Sequence, residues 1–597
     1  MTLPASPVSF NDDLHIYIAS ASAGGSPVAC TDSASWILAR RGPRPRGLTG
    51  VDPTIGVVTA TAEASVKPAD LVADDSARSA EAVAGRPPVP EQLVGWRDPS
   101  PRVGWIITAA VTAIAALTRL WALDWPKGKM FDEVYYATEA QEMLRYGYED
   151  NRGYMFVVHP PLGKWLIAGT SAIFGNNEVG WRLAPALAGI VSVLLMVRIA
   201  RRLFRSNVFG GIAGLLLALD GLSVVQSRVA LLDIFLQLFI VAGFGALVLD
   251  REQMRSRLAG LLAEGVDLSD GIPTLGPRPW RLAGGVLLGL ACAVKWSALS
   301  FFVLFAVLSL MWDRGALKSA GVTRSWRSAA RRSWLSGVGS LVVAPTAAYL
   351  FTWLGWFAGE NSWNRHWADS HPSATRLDIL GIRIPFNWGF LPPGIQSLGD
   401  YHLNAYRFHE GLDSPHAYGS KPWSWLILGR PVSFYYQGDG VRGCGAADCS
   451  RAVLDIGTPV LWWAFIPALV WLVWRWLTSR DWRAAAILVA FVAGWVVWLQ
   501  DPKRTMFLFY MTPLVPFLAL GVTMGLGAIL GPATRPVVDP ADRASILAER
   551  RWKWGVFGIS AYLGLLIVDF AWMWPLFSGG LLTYDQWHMH MWFPSWI

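Results

Sequence analysis

The strongest constraint on this chain is its succession of apolar stretches, each close to the length needed to cross a bilayer. About 20 mostly apolar residues in a helix cover roughly 30 Å of hydrocarbon. Stretches of this kind lie near 104–124, 180–203, 208–225, 229–250, 281–294, 297–312, 334–355, 457–477, 484–499, 505–530 and 554–577, about eleven in all. Lipid offers the backbone no hydrogen-bond partners, so such stretches must be helices, and the chain reads as an all-α polytopic membrane protein. Only 16% of residues are charged and 53% are hydrophobic, whereas soluble domains carry about 25% charged residues.

Two segments stand apart from this pattern. Residues 1–97 are rich in Ala, Ser, Val, Pro, Gly and Asp without an apolar period, which predicts a disordered cytoplasmic tail before a membrane domain over 98–597. The first residues lack the basic-then-apolar order of a signal peptide. The stretch 162–175, LGKWLIAGTSAIFG, is short for a span and is predicted to lie in the interface as an amphipathic helix.

The basic residues fix the expected orientation. With eleven spans and the tail inside, the clusters around Arg201, Arg255, Arg327, Arg480 and Arg550 all fall in the cytoplasm, as the positive-inside rule requires. Counting 162–175 as a span would invert them. The first loop, 125–179, the long loop, 356–456, and the C-terminus then lie outside the cytoplasm, in a plasma-membrane protein. The net charge of +8 belongs to membrane lipid and topology on this reading, and nucleic acid is discounted.

This topology gathers unusual polar residues at the outer face: the adjacent acids Asp132 and Glu133, then Arg182, Arg228, Asp233, Lys295 and Arg504. Ionisable groups at span ends are costly to desolvate and are therefore paired or functional. A carboxylate beside several cations suits transfer of a group from a phosphate leaving group: the base takes a proton from a hydroxyl while the cations hold the departing phosphate. Plainer roles compete. The acid pair can be solvated surface, Arg182 a headgroup anchor, and Arg228 and Asp233 an ion pair. The turn His159-Pro160-Pro161 reads first as rigid backbone, with His159 and Lys164 as candidate substrate contacts.

Other features bear on the outer loops. His402, His409 and His416 recur at seven-residue steps near Glu410, but Gly411 and Pro415 would interrupt a shared helix, so no metal site is predicted; a divalent ion is left open. Cys444 and Cys449 can close a small disulfide loop in an oxidising space. SKPWSWLILGRPVSFYYQG is expected to form a re-entrant or surface helix at the headgroups. Pro513 and Pro516 should kink their helix, opening a lateral groove for a lipid tail.

FDEVYYATEA, VVHPPLGKWLIAG, VGWRLAPALAG, SRVALLDIF, AVKWSAL and DPKRTMFLFYMTPLVPF together resemble the protein O-mannosyltransferases in their actinobacterial form, over about 100–597. The resemblance implies the GT-C glycosyltransferase fold with outer interfacial helices, and inverting transfer of mannose from polyprenyl-phosphate-mannose to Ser or Thr of exported proteins. It implies Asp132 as general base, Glu133 as an aid to acceptor positioning, and Arg182 and Asp233 in donor binding. Lys295 and Arg504 are assigned to phosphate or sugar by position, and Arg228 joins the donor-binding set. The secretion translocon is an expected partner. The long outer loop lacks the MIR domain of eukaryotic members, so acceptor selection by that module does not carry over. Two alternatives remain: a GT-C enzyme modifying a lipid or cell-wall glycan, and a non-enzymatic flippase. The second would show inverted repeats and mid-bilayer polar residues, which the sequence does not display.

Overall fold

A computed structural model describes residues 90–597 apart from 154–155, 157, 270–274, 326–333, 372–375, 380–381, 386–387, 532–535 and 540–541. The expected tail lies outside the described residues as far as 89. Its last part is not a tail: Leu93, in a short turn of helix, is fully buried against Met254, Leu258 and Leu317. Arg255 donates to the Gln92 carbonyl (2.8 Å), Arg205 donates to the Val94 carbonyl (3.3 Å) and Arg201 pairs with Asp98, so residues 90–98 are docked on the helices.

Among the described residues, nine helices are long and apolar enough to cross a membrane. They coincide with nine of the eleven expected stretches. The other two are shorter, Asn207–Ala218 and Pro279–Cys292, with 12 and 14 residues. Asp220 cuts the first of these by accepting a hydrogen bond from Ser223 N (2.8 Å) and capping a new helix, Gly221–Gln226. The irregular backbone that follows, 227–232, is wholly buried in protein, which is where a bundle tolerates it. The short stretch expected at the interface is a separate helix, Leu162–Phe174.

Burial separates the bundle into centre and rim. The apolar windows of the Asp233–Ala263 and Leu508–Leu530 helices are 72% and 78% buried, whereas those of Trp334–Phe351 and Pro459–Ser479 are 17% and 22% buried. The rim helices turn side chains such as Leu335, Phe351 and Val470 outward, as a lipid-facing surface requires.

The long connections between spans are not purely helical. Val432–Gln437, Cys449–Asp455 and Leu581–Thr583 form a three-stranded antiparallel sheet. This corrects the surface helix expected for SKPWSWLILGRPVSFYYQG: only Pro422–Trp425 is helical, and VSFYYQ alternates the buried Val432 and Phe434 with the half-buried Ser433 and Tyr435, the period of a strand. A disulfide joins Cys444 to Cys449 (Cα–Cα 5.8 Å) at the end of the central strand. Pro513 and Pro516 interrupt their span as expected, with Leu508–Leu514 in 3-10 form before the α-helix Val515–Leu530.

Candidate active site

The loop after the first span turns sharply into the helix Glu133–Tyr146, and Asp132 stands at its N-cap. The residue before it, Phe131, has φ +48°, a left-handed conformation that costs a non-glycine residue about 1–2 kcal/mol. Its ring explains why the turn persists: it stacks on Phe434 (4.8 Å) and meets the edges of Phe507 and Phe509 (6.0 and 5.9 Å). Packing against the sheet and the Arg504 segment thus holds Asp132 in place.

The two adjacent acids have opposite surroundings. Glu133 is fully buried and saturated. Its Oε1 accepts from Arg182 Nε (2.8 Å) and Ala230 N (2.9 Å), and its Oε2 from Arg182 Nη2 (2.8 Å) and Met130 N (2.8 Å). The remaining Arg182 hydrogens go to the carbonyls of Leu123, Pro126 and Gly128, so all five are used. Glu133 is therefore not free to position an acceptor, and Arg182 is not free to hold a donor; together they staple the first loop to the span Glu178–Phe204. Arg228 is also corrected. It neither pairs with Asp233 nor lines the cavity that holds Asp132, and instead donates to the carbonyls of Thr118, Arg119, Trp121 and Ala122 at the C-terminal end of the first span. Cations are favoured there by the helix dipole.

Asp132 makes no side-chain hydrogen bond among the described residues and looks into a cavity of about 380 Å³. Burial pushes its carboxyl up to about 6; Lys295 opposes that rise and Asp233 adds to it. Asp233, in the first turn of its span, forms an ion pair with Lys295 (2.7 Å), and the ammonium lies 5.8 and 5.5 Å from the rings of Phe509 and Tyr510. Arg504 donates through Nε to the His409 carbonyl (3.1 Å) and lies over Trp498 (5.5 Å). The same cavity holds His159, stacked on His409 at 5.0 Å. Burial, then the positive charge of Lys295, hold His159 well below the usual imidazole range, so it is neutral. His409 lies 2.7 Å from the Val158 carbonyl through Nε2, which must carry the proton, and burial lowers it to about 4.

Asp132, Asp233, Lys295, Arg504 and His159 therefore share one cavity, whereas Lys164 does not. Lys164 is fully buried between Glu149 (2.7 Å) and Glu139 (3.1 Å), and Tyr401 donates to the far oxygen of Glu149 (2.6 Å). Burial raises the Glu139 carboxyl, with Lys164 opposing. This cluster ties the first loop to the helix Pro393–Glu410. Among the described residues no three His, Cys, Asp or Glu side chains converge as metal ligands. His402 instead meets the Tyr349 hydroxyl (2.5 Å), and His416 packs against Phe507.

Several cavity residues escaped the sequence reading: Tyr136, Phe156, Trp296, Trp498 and Tyr510. Tyr136 follows Asp132 by one helical turn and Tyr510 follows Arg504 within the same motif, so proximity in sequence carried a signal for these two. Trp296 and Trp498 are indistinguishable in sequence from the other interfacial tryptophans.

A model of dolichyl-phosphate-mannose-protein mannosyltransferases matches residues 109–357, and one of the C-terminal four TMM region of protein-O-mannosyltransferase matches 395–596. A polyprenol-phosphate-mannose–protein mannosyltransferase of Mycolicibacterium smegmatis is 40% identical over 528 residues, covering 87% of this chain and 98% of the relative. The chain belongs to the protein O-mannosyltransferase family. A namesake enzyme of Corynebacterium glutamicum is 34% identical over 82% of this protein O-mannosyltransferase and 93% of its own length. The S. cerevisiae protein O-mannosyltransferase complex bound to the sugar donor shares the fold: TM-score 0.61 at 17% identity, over 83% of this chain and 92% of that one. The fold of this protein O-mannosyltransferase is thus the GT-C fold expected from its motifs.

Proposed function

We propose that this enzyme transfers mannose from polyprenyl-phosphate-mannose to Ser or Thr hydroxyls of exported proteins, with inversion, on the extracytoplasmic face of the plasma membrane. The observation that carries the reading is the pairing, in one cavity, of a carboxylate without hydrogen bonds, Asp132, with two cations, Lys295 and Arg504. The acceptor oxygen attacks the anomeric carbon as Asp132 takes its proton. The bond from that carbon to the phosphate oxygen breaks, and its electrons leave on the lipid phosphate. Lys295, held by Asp233, and Arg504 offset the charge that builds there. The aromatic walls from Trp296, Trp498 and Tyr510 suit the apolar faces of a hexose.

A second, mostly apolar groove of about 450 Å³ runs between the helices Ala298–Ser319 and Trp482–Leu499 and shares Trp296, Ser297 and Val497 with the cavity. It supports entry of a polyprenyl tail from the bilayer at this point. The groove lies away from Pro513 and Pro516, so the kinked span is not its wall. Eleven crossings with the tail inside, counting Asn207–Ala218 and Pro279–Cys292, put the cavity outside and let the enzyme meet chains as they leave the translocon. The test is incubation of membranes expressing the protein with labelled polyprenyl-phosphate-mannose and a Ser/Thr-rich peptide. Peptide labelling is expected. Label appearing instead in lipid or glycan would reject the protein acceptor, and no transfer at all would reject the enzyme.

A further inference from the structure

Asp233 and Arg251 lie on one helix, eighteen residues apart, so about 27 Å of axial rise separates them. That is close to the ~30 Å thickness of bilayer hydrocarbon. The Trp482–Leu499 helix spans the same interval, with Trp498 in the active-site cavity and Trp482 at the opposite end. At that opposite end the ends of several helices enclose an open cavity of about 550 Å³.

Its lining is strongly cationic. Arg202 and Arg205 come from the end of the span Glu178–Phe204, and Arg251 and Arg255 from the helix that carries Asp233. Arg475, Arg480 and Arg483 surround the turn between the next pair of spans. These seven arginines meet three carboxylates, Glu91, Glu252 and Asp481, which leaves four positive charges in excess. Two of the acids are already engaged, Glu252 with Arg202 (2.5 Å) and Asp481 with Arg483 (2.7 Å).

The Arg251 side chain has neither a hydrogen bond nor an ion pair among the described residues. Its guanidinium lies over Trp482, 3.5 Å from the ring centre, and its Nε is buried without an acceptor among the described residues. Arg255 gives one hydrogen to Gln92, but its Nε is likewise buried and unanswered. A buried guanidinium Nε without an acceptor is costly, and the half-buried guanidinium groups around this cavity are well suited to a phosphate, which such forks grip in a bidentate manner. The depth selects the source: the site lies about one hydrocarbon thickness from the active site and is flanked by Trp96 and Trp482, residues that favour the headgroup layer.

We infer that this cavity is a binding site for the phosphate of an anionic phospholipid headgroup, which ties together the ends of these spans and the segment Glu91–Trp96. The test uses the full chain purified in uncharged detergent, with thermal unfolding titrated by phosphatidylglycerol, phosphatidylcholine or inorganic phosphate. Phosphatidylglycerol is expected to raise Tm saturably while phosphatidylcholine does not. Arg251→Gln should weaken the apparent affinity at least about tenfold, as loss of a charge-assisted contact does. Arg480→Gln removes a charge whose side chain, among the described residues, meets the Trp476 ring alone, so it keeps the test readable should Arg251→Gln fail to fold; it too should weaken binding, while Asp132→Asn should bind as the unmodified protein does. An equal response to both lipids would overturn the inference, as would unchanged affinity in the Arg480→Gln protein. An equal shift with millimolar inorganic phosphate, lost in the same variants, would overturn the lipid as source in favour of a soluble phosphate ester.

Discussion

The contrast between Asp132 and Glu133 makes a prediction that can be worked out from their surroundings. Asp132 is half-buried without side-chain hydrogen bonds among the described residues, and desolvation raises its carboxyl from 3.8 to about 6. A shift of about two units means that the folded protein disfavours the ionised form by about 3 kcal/mol. Because the folded value is raised, the penalty is complete above pH 6, shrinks as pH falls and vanishes below the unfolded value near 4. Asp132→Asn removes that penalty, so the variant should unfold at a temperature a few degrees higher at neutral pH, with the gain absent near pH 4. Glu133→Gln does the reverse. It leaves the buried Arg182 without its carboxylate, and breaking a buried ion pair in this way costs about 3–5 kcal/mol. Thermal unfolding of both variants in detergent, at pH 7 and pH 4.5, is the assay. If Asp132→Asn were the less stable of the two at pH 7, the division into an unpaired base and a structural acid would be refuted.

Other consequences are simpler to state. The transfer rate should fall about tenfold per pH unit below about 6 and level off above it, because Asp132 must be ionised to accept a proton; a profile flat from pH 5 to 8 would contradict this. Lys164→Met strands Glu139 and Glu149 in the interior and should cost about 3–5 kcal/mol of stability at pH 7, read as a lowered Tm. Cys444→Ser opens a five-residue separation and should cost the outer sheet about 2 kcal/mol, measured by proteolysis of the 438–450 segment with transfer activity retained.

The sequence announced the spans because lipid permits little else, and it announced Asp132 because an acid after the first span, followed by a basic-flanked turn, is unusual. Apart from the family resemblance, which implies Asp132 as the base, residue type and position could not separate Asp132 from Glu133, or Lys295 from Arg182 and Arg228. All of these are ionisable residues at span ends, and what divides them is whether partners from distant segments consume their hydrogen bonds. Arg182 meets carbonyls from 123 to 128 and Arg228 those from 118 to 122, contacts that exist only once the spans are packed. Asp220 cut a predicted span because its cap competes with helix continuation, a local effect that a hydropathy window averages away. The strand Val432–Gln437 did carry a legible signal, alternating burial with aromatic residues, which the abundance of tryptophan nearby concealed.

The most direct test of the account is the single-turnover rate of mannose transfer to a Ser/Thr peptide by Asp132→Asn, with donor binding measured on the same preparation. Binding of polyprenyl-phosphate-mannose should be unimpaired, since Lys295 and Arg504 remain, and the rate should be lower by roughly 10² to 10⁴. Transfer at the unmodified rate, or a loss explained entirely by weaker donor binding, would contradict the role of Asp132 as the base.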